Sequence, residues 1–131
     1  MILARGYNVA FVLHAAIEIP AAINFMLFPS KQLGKNTPNA HPVVRQYALL
    51  LVSSVLIAIA FAIRSTDEIS RTVAGCLAVY HLGPALRSLS RLAAQYQRSE
   101  ALLMSEAFLY LTCHVLTGVS LVSCYLGSDL L

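Results

Sequence analysis

Ionisable side chains stand inside apolar stretches of this sequence, where they could act as acids and bases. Glu18 lies in LHAAIEIPAAIN (13–24), and the other apolar segments hold His81, Glu106 and His114. An ionisable residue at the centre of a membrane-spanning helix costs roughly 2.5–3.5 kcal/mol, so these groups are expected to meet one another or a wet cavity. Burial and neighbouring charges can then keep one group protonated and another ionised. The pattern predicts acid–base chemistry on a lipophilic substrate.

Other polar residues could orient water or substrate beside these four. They are Asn24, Arg45, Tyr47, Tyr80, Arg87 and Tyr110. Either arginine could keep one of the two carboxyl groups ionised, because a nearby cation favours the charged form. Glu18, His81 and His114 each fall near the middle of an apolar segment, which predicts a common depth.

Helical phase groups several of these residues. The 4-3-4 spacing of Glu106, Tyr110, Cys113 and Thr117 predicts one helix face, and Thr72, Cys76 and Tyr80 recur every four residues. In the first segment His14 and Glu18 are one turn apart on a shared face. A further face of small residues, Ser54, Ala58 and Ala62, predicts close packing of its helix against a neighbour.

Structural roles are the competing interpretation of the same residues. Glu18 could form a buried ion pair that only fixes the fold, and His14 could be a packing histidine whose nitrogens are satisfied by hydrogen bonds. Arg45 and Arg87 could extend to the membrane surface along their aliphatic stems. Metal binding by Glu18, His81, Glu106 and His114 is a weaker alternative, because no HxxxH or ExxH spacing occurs, and no metal is expected.

The composition excludes a typical soluble domain. Of the 131 residues, 58% are hydrophobic and only 11% are charged, whereas a soluble domain carries about 25% charged residues. The net charge of +3 is too small to indicate nucleic-acid binding. Cys76, Cys113 and Cys124 are odd in number and form no CxxC pair, so they predict buried thiols, and neither a disulfide framework nor a zinc site.

Four segments are long and apolar enough to be membrane-spanning helices, at residues 7–28, 43–63, 69–89 and 101–126. Polar connectors separate them at 29–42, 64–68 and 90–100. The apolar runs do not alternate as barrel strands do, and short loops favour antiparallel neighbours. The sequence predicts an all-α, integral membrane four-helix bundle in a single domain, 1–131. The first apolar run is too long for a cleaved signal peptide, so it is expected to be retained.

Lysine and arginine positions predict the orientation in the membrane. Six of them flank the first and third connectors: Lys31, Lys35, Arg45, Arg87, Arg91 and Arg98. Three flank the other side: Arg5, Arg64 and Arg71. Because basic loops stay in the cytosol, both termini are predicted to be non-cytosolic.

Two segments carry a resemblance to a known group of proteins. VVRQYALLLVSS (43–54) and ISRTVAGCLAVYHLGPALRSLSR (69–91) resemble small four-span membrane proteins encoded in fungal polyketide clusters, some of which are epoxide hydrolases or epoxide-opening cyclases. The resemblance covers most of the chain and rests chiefly on residues 45–47 and 80–84. It implies a multi-pass enzyme of secondary metabolism, in the endoplasmic reticulum membrane, acting on a lipophilic polyketide epoxide. The layout is also similar to sterol-isomerase-type and DoxX-like bundles.

Epoxide opening needs a proton donor at the oxygen and a base for the attacking water or hydroxyl, and no cofactor. Glu18 and Glu106 are the predicted acid–base pair, assisted by His81 and His114. The expected partners are a lipophilic small molecule and the lipid bilayer, with no nucleic acid and with a homodimer left open. The alternatives are a sterol- or lipid-type isomerase, a lipophilic-ligand-binding protein and a non-catalytic accessory subunit. A transport pathway, with helices interrupted at Pro20 and Pro84, is compatible only with an oligomer.

Overall fold

The structure is a computed structural model that describes residues 8–33, 37–103 and 105–127. Helices account for 85% of it and these ranges contain no strand, which confirms the all-α class. The helices are α1 (Val9–Leu27), α2 (Ser30–Leu33), α3 (His41–Ala62), α4 (Glu68–Gln97) and α5 (Glu106–Leu126), with a 3-10 turn at Pro38–Ala40. They divide into two compact units, Met1–Ser65 and Thr66–Leu131. The single four-span domain stays a prediction.

Three helices of the described ranges, α1, α3 and α5, are long and apolar enough to cross a membrane. They correspond to the first, second and fourth predicted spans. α4 is longer but is not among the three. Serine, threonine, glycine, His81 and Pro84 dilute its apolar residues, so its hydropathy is lower. Whether α4 spans a membrane stays a prediction.

The first unit is an antiparallel pair of α1 and α3, called the first helix pair below. At one end the backbone N–H of Asn8 donates to the carbonyl oxygen of Ala62 at 3.1 Å. Phe11, which is fully buried, stacks on Phe61 with ring centroids 5.6 Å apart, a contact worth about 0.5–1.5 kcal/mol beyond its burial. Alanines, with Leu51 and Val55, supply most of the other buried apolar residues, and the buried pair Ala58 and Ala62 is consistent with the predicted small-residue face.

The second unit pairs α4 with α5, the second helix pair. Both helices begin at a residue whose side chain caps the first turn. Asp67 accepts a hydrogen bond from the backbone N–H of Ser70 at 2.7 Å, and Ser105 accepts one from the N–H of Phe108 at 3.2 Å. Such caps satisfy amide donors that have no carbonyl partner within the helix.

Gly127 ends α5 in the left-handed conformation, with φ 70°, which glycine adopts without steric strain. The guanidinium of Arg71, in the first turn of α4, lies directly against it. A Cβ added at Gly127 would approach the Arg71 Cζ to 2.9 Å. The glycine therefore serves both the turn and the close approach of the arginine.

Two predicted boundaries are wrong. α4 continues through the predicted connector 90–100 as far as Gln97, because SRLAAQYQ lacks glycine and proline and consists largely of good helix formers. It ends where Ser99 adopts a positive φ of 57°. α5 begins at Glu106 and not near residue 101, since Ser105 provides its cap. A third difference concerns Pro20: α1 continues through it as one helix, so the interruption predicted at this proline is absent.

Candidate functional site

The polar centre of the first helix pair is built by Glu18 and His14. Both side chains are fully buried on α1, and a ring nitrogen of His14 lies within 4.8 Å of a carboxylate oxygen of Glu18. Their spacing of four residues places them one above the other on the buried face, as predicted. A carboxyl group and an imidazole within this distance can exchange a proton through one bridging water molecule.

Ser54 of α3 lies beside His14. Its hydroxyl oxygen is 2.8 Å from the carbonyl oxygen of Leu51 and 3.3 Å from Nε2 of His14. When the hydroxyl donates its single proton to Leu51, Nε2 donates to the hydroxyl oxygen, and Nδ1 is the basic nitrogen of the neutral imidazole.

An apolar groove of about 340 Å³ runs along the first helix pair. Its α1 side is formed by Ile19, Ala22, Ile23, Met26 and Leu27, and its α3 side by Val52, Val55 and Leu56. Ala22 and Val55 are buried and form the floor, whereas the flanking residues are mostly exposed. Ala22 follows Glu18 by one helical turn. The groove thus reaches the level of Ile19, the residue that follows Glu18.

The second helix pair buries two histidines against each other. Nδ1 of His81 on α4 lies 2.9 Å from Nδ1 of His114 on α5, and both rings are buried. One Nδ1 must donate and the other must accept, so one ring is protonated at Nδ1 and the other is not. Gly118 of α5 faces the His81 backbone end, where a Cβ would reach ordinary van der Waals contact with the His81 Cβ at 3.5 Å. The structure thus joins two of the predicted catalytic residues, while their common depth with Glu18 stays a prediction.

Glu106 is not the buried carboxyl group that the sequence predicts. It is the first residue of α5, its side chain is 78% exposed, and it lies 3.4 Å from the Arg91 guanidinium. An acidic residue in the first turn stabilises a helix through the helix dipole. Its exposure is explained by its place at the start of the helix, because α5 begins at Glu106, directly after the cap residue Ser105.

The six predicted orienting residues occupy scattered positions. Asn24 is exposed and donates to the carbonyl oxygen of Pro20 at 3.0 Å. Tyr47 packs on Phe25 with ring centroids 5.6 Å apart. Tyr80 meets the His81 ring edge-on at 5.2 Å. Arg45, Arg87 and Tyr110 are exposed, and of these Arg45 lies at the α1–α3 contact.

The predicted helix faces of the second unit are shifted by one or two positions. On α5 the buried face carries His114, Thr117 and Leu121, while Tyr110 is exposed. On α4 the buried face carries His81 with alanines and serines, and both Thr72 and Cys76 are exposed. Small residues occupy these faces because they let the helix backbones approach.

The cysteine prediction is wrong for Cys76, which is exposed, and Cys113 and Cys124 are only half-buried. None of the three forms a disulfide. The exposed thiol of Cys76 is compatible with a helix face that contacts lipid.

His14 and Ser54 are the functional candidates that the sequence prediction placed outside the site. The sequence left open a packing role for His14, and it predicted that Ser54 lies on a face of small residues that packs against a neighbouring helix. The four-residue spacing between His14 and Glu18 is the signal that associates them. The pairing of His14 with Ser54 joins positions forty residues apart, which no local pattern indicates.

Comparisons with family models, with curated proteins and with solved structures each find no match to this chain. Its function is therefore inferred from the chemistry of its own residues.

Proposed function

We propose that this protein is an integral membrane enzyme that opens an epoxide on a lipophilic substrate, with Glu18 as its central acid. The observation that carries the proposal is the full burial of Glu18 beside His14 in an otherwise apolar helix. Burying a carboxyl group is costly unless it is neutralised or hydrogen-bonded. A buried acid next to an imidazole is a typical arrangement for proton transfer.

Membrane integration is supported by the surfaces of the helices. α1, α3 and α5 each have the length and hydropathy of a spanning helix. Large apolar side chains are extensively exposed on α3 and α5, including Leu50, Leu56 and Leu116, at 67%, 62% and 62%. Soluble proteins rarely expose contiguous apolar surface on this scale. A bilayer would cover it and would also deliver a lipophilic substrate.

The proposed reaction moves two protons and no electrons. Glu18, in its protonated form, donates a proton to the epoxide oxygen as one carbon–oxygen bond breaks. Water attacks that carbon, and Nδ1 of His14 accepts the water proton while Nε2 keeps its hydrogen bond to Ser54. His14 then returns the proton to Glu18 over their short separation. The product is a diol, or a cyclic ether where a hydroxyl of the substrate replaces water.

Purified protein in lipid nanodiscs, given a long-chain epoxide in ¹⁸O-labelled water, should produce a diol with one ¹⁸O atom. Glu18→Gln keeps the size and the hydrogen-bonding capacity of the side chain but cannot supply the proton. We expect it to lower kcat by about 10²–10⁴-fold, the range typical of a general acid. Glu106→Gln is the matched control and should keep wild-type activity. A folded Glu18→Gln protein with full activity would overturn the proposal.

A double-bond isomerase is the second candidate, and the His81–His114 contact favours it. Isomerisation moves one proton between carbons and needs a base and an acid, but no water. The two buried imidazoles provide both. Thr117 lies one turn from His114, and its buried hydroxyl bonds to no residue among those described. Deuterium uptake at a substrate carbon without ¹⁸O incorporation, lost in His81→Gln, would favour this reaction.

A further inference from the structure

A cationic side chain stands at one end of the apolar groove. Nε of Arg45 donates to the carbonyl oxygen of Met26 at 3.4 Å, and Met26 lines the groove. Arg45 is exposed, and among the described residues no carboxylate forms an ion pair with it. Guanidinium groups bind carboxylates in a planar, two-bonded geometry. The groove thus combines an apolar length with an unneutralised charge at its end.

The groove has the dimensions of a single alkyl chain. Its volume of about 340 Å³ is near the lower end of the roughly 300–1,000 Å³ of small-molecule sites. From Met26 to Ile19, α1 advances about 10 Å at 1.5 Å per residue. An extended alkyl chain advances about 1.3 Å per carbon, given its bond length. About eight carbons therefore separate the level of Arg45 from the level of Ile19, the residue after Glu18.

We propose that the groove binds a single-chain carboxylic acid, with its carboxylate on Arg45 and its chain along α1 toward Glu18. The substrate class follows from this placement and rests on the proposed function. It is an unbranched long-chain acid whose epoxide lies about eight to ten carbons from the carboxylate. Charge complementarity selects the acid over its esters, and a volume of about 340 Å³ matches one alkyl chain better than the two chains of a phospholipid.

The absence of tryptophan from the chain makes binding measurable with one introduced fluorophore. Ile23→Trp puts an indole on the groove wall. An 18-carbon acid brominated at mid-chain should quench its fluorescence in detergent micelles with a saturable Kd. Adding Arg45→Gln should raise this Kd about fivefold, the effect of losing one solvent-accessible ion pair. The brominated methyl ester should bind both proteins equally.

Two further variants separate the charge from the groove. Arg64→Gln removes an arginine of the same unit that lies over the Phe61 ring, away from the groove, and should leave the Kd unchanged. Val55→Phe fills the floor and should abolish saturable quenching by acid and ester alike, with helix content unchanged by circular dichroism. An unchanged Kd in Arg45→Gln would overturn the proposal, as would equal quenching by a brominated phospholipid that the acid fails to displace.

The inference and the proposed function can fail separately. If the acid binds in an Arg45-dependent way but no diol forms, the proposed ligand of the groove stands and the epoxide reaction is refuted. If diol forms at the same rate in Arg45→Gln and Val55→Phe and with every chain length, the epoxide reaction stands. The groove is then refuted as its substrate site.

Discussion

The first helix pair buries a carboxyl group beside a histidine, whereas the second buries two histidines against each other. The first combination can hold an acid and a base of different chemical type, which suits attack by water on a substrate. The second consists of two identical groups, and only one proton lies between their facing nitrogens. We therefore expect the first pair to carry the proposed epoxide reaction, and the second to contribute specificity of packing or the alternative isomerase-type proton transfer.

The largest expected difference between the pairs is in catalysis. We expect His14→Asn to lower kcat for epoxide opening by about 10²-fold or more, because it removes the base. His81→Asn should lower kcat by less than about tenfold, through small changes of packing. Steady-state kinetics on the nanodisc-embedded variants measures both. A larger loss in His81→Asn than in His14→Asn would reverse the assignment of roles.

Stability should show the opposite order. In a double-mutant cycle, we expect a coupling of about 1–2 kcal/mol between His81 and His114, since replacing either one by leucine leaves a buried nitrogen without its partner. The coupling between His14 and Ser54 should stay below about 0.5 kcal/mol, because their contact is longer, at 3.3 Å, and Ser54 keeps its bond to Leu51. Unfolding in mixed micelles gives both values. Equal couplings would remove the distinction between a packing pair and a catalytic pair.

The helix starts give a smaller contrast. We expect Asp67→Ala to lower the free energy of unfolding by about 1 kcal/mol, because Asp67 caps α4 through Ser70. Ala40→Gly should change it by less than about 0.5 kcal/mol, since Ala40 precedes α3 without a side-chain cap bond. Asp67→Asn keeps a capping oxygen and should recover most of the loss. Thermal unfolding in detergent compares the three, and equal losses for Asp67→Ala and Ala40→Gly would contradict the contrast.

The smallest effect concerns the connector of the second unit. Hydrogen bonds from Arg98, the shorter at 2.7 Å, hold the pKa of Glu100 below its ordinary value, an effect that burial slightly opposes. The folded state therefore binds this proton less readily than the unfolded one. The resulting stabilisation is fully present above about pH 4.3, the ordinary glutamate pKa, and is lost as the pH falls through the depressed pKa of Glu100.

Because both partners are exposed, solvent screening keeps this pH effect on stability slight. The carboxyl carbon of Glu100, followed by NMR, should titrate at a higher pH in Arg98→Gln than in the wild type. Arg91→Gln is the control, because its partner is Glu106. An unchanged titration in Arg98→Gln would mean that another group sets the pKa.

The helical structure and the apolar character of the segments could be predicted from the sequence, because long apolar runs without alternation favour helices over strands. The ends of the helices could not. Residues 90–97 are polar and were predicted to be a connector, yet polarity describes solvation and does not by itself end a helix. Residues 101–105 are partly apolar and were assigned to a helix, although the cap at Ser105 decides where α5 starts.

The candidate site was partly predictable for a related reason. Burial of Glu18, His81 and His114 followed from their central positions in apolar segments. The exposure of Glu106 could not be predicted, because it depends on α5 starting at that residue and the predicted helix began near residue 101. Contacts such as His14 with Ser54 depend on how α1 and α3 align, and that alignment is set by alanine packing and a backbone hydrogen bond at the helix ends.

Gly127 has an electrostatic consequence for the second helix pair. The last turn of α5 leaves carbonyl oxygens without amide partners, which amounts to about half a negative charge at that end. The Arg71 guanidinium packed against Gly127 stands where it can neutralise that charge, and Asp67 with Glu68 does the same for the positive start of α4. Any side chain at position 127 displaces the guanidinium and leaves the carbonyl end to be neutralised by solvent or by lipid headgroups. The missing Cβ of Gly127 thus leaves the space in which the Arg71 guanidinium can neutralise the negative end of the α5 dipole.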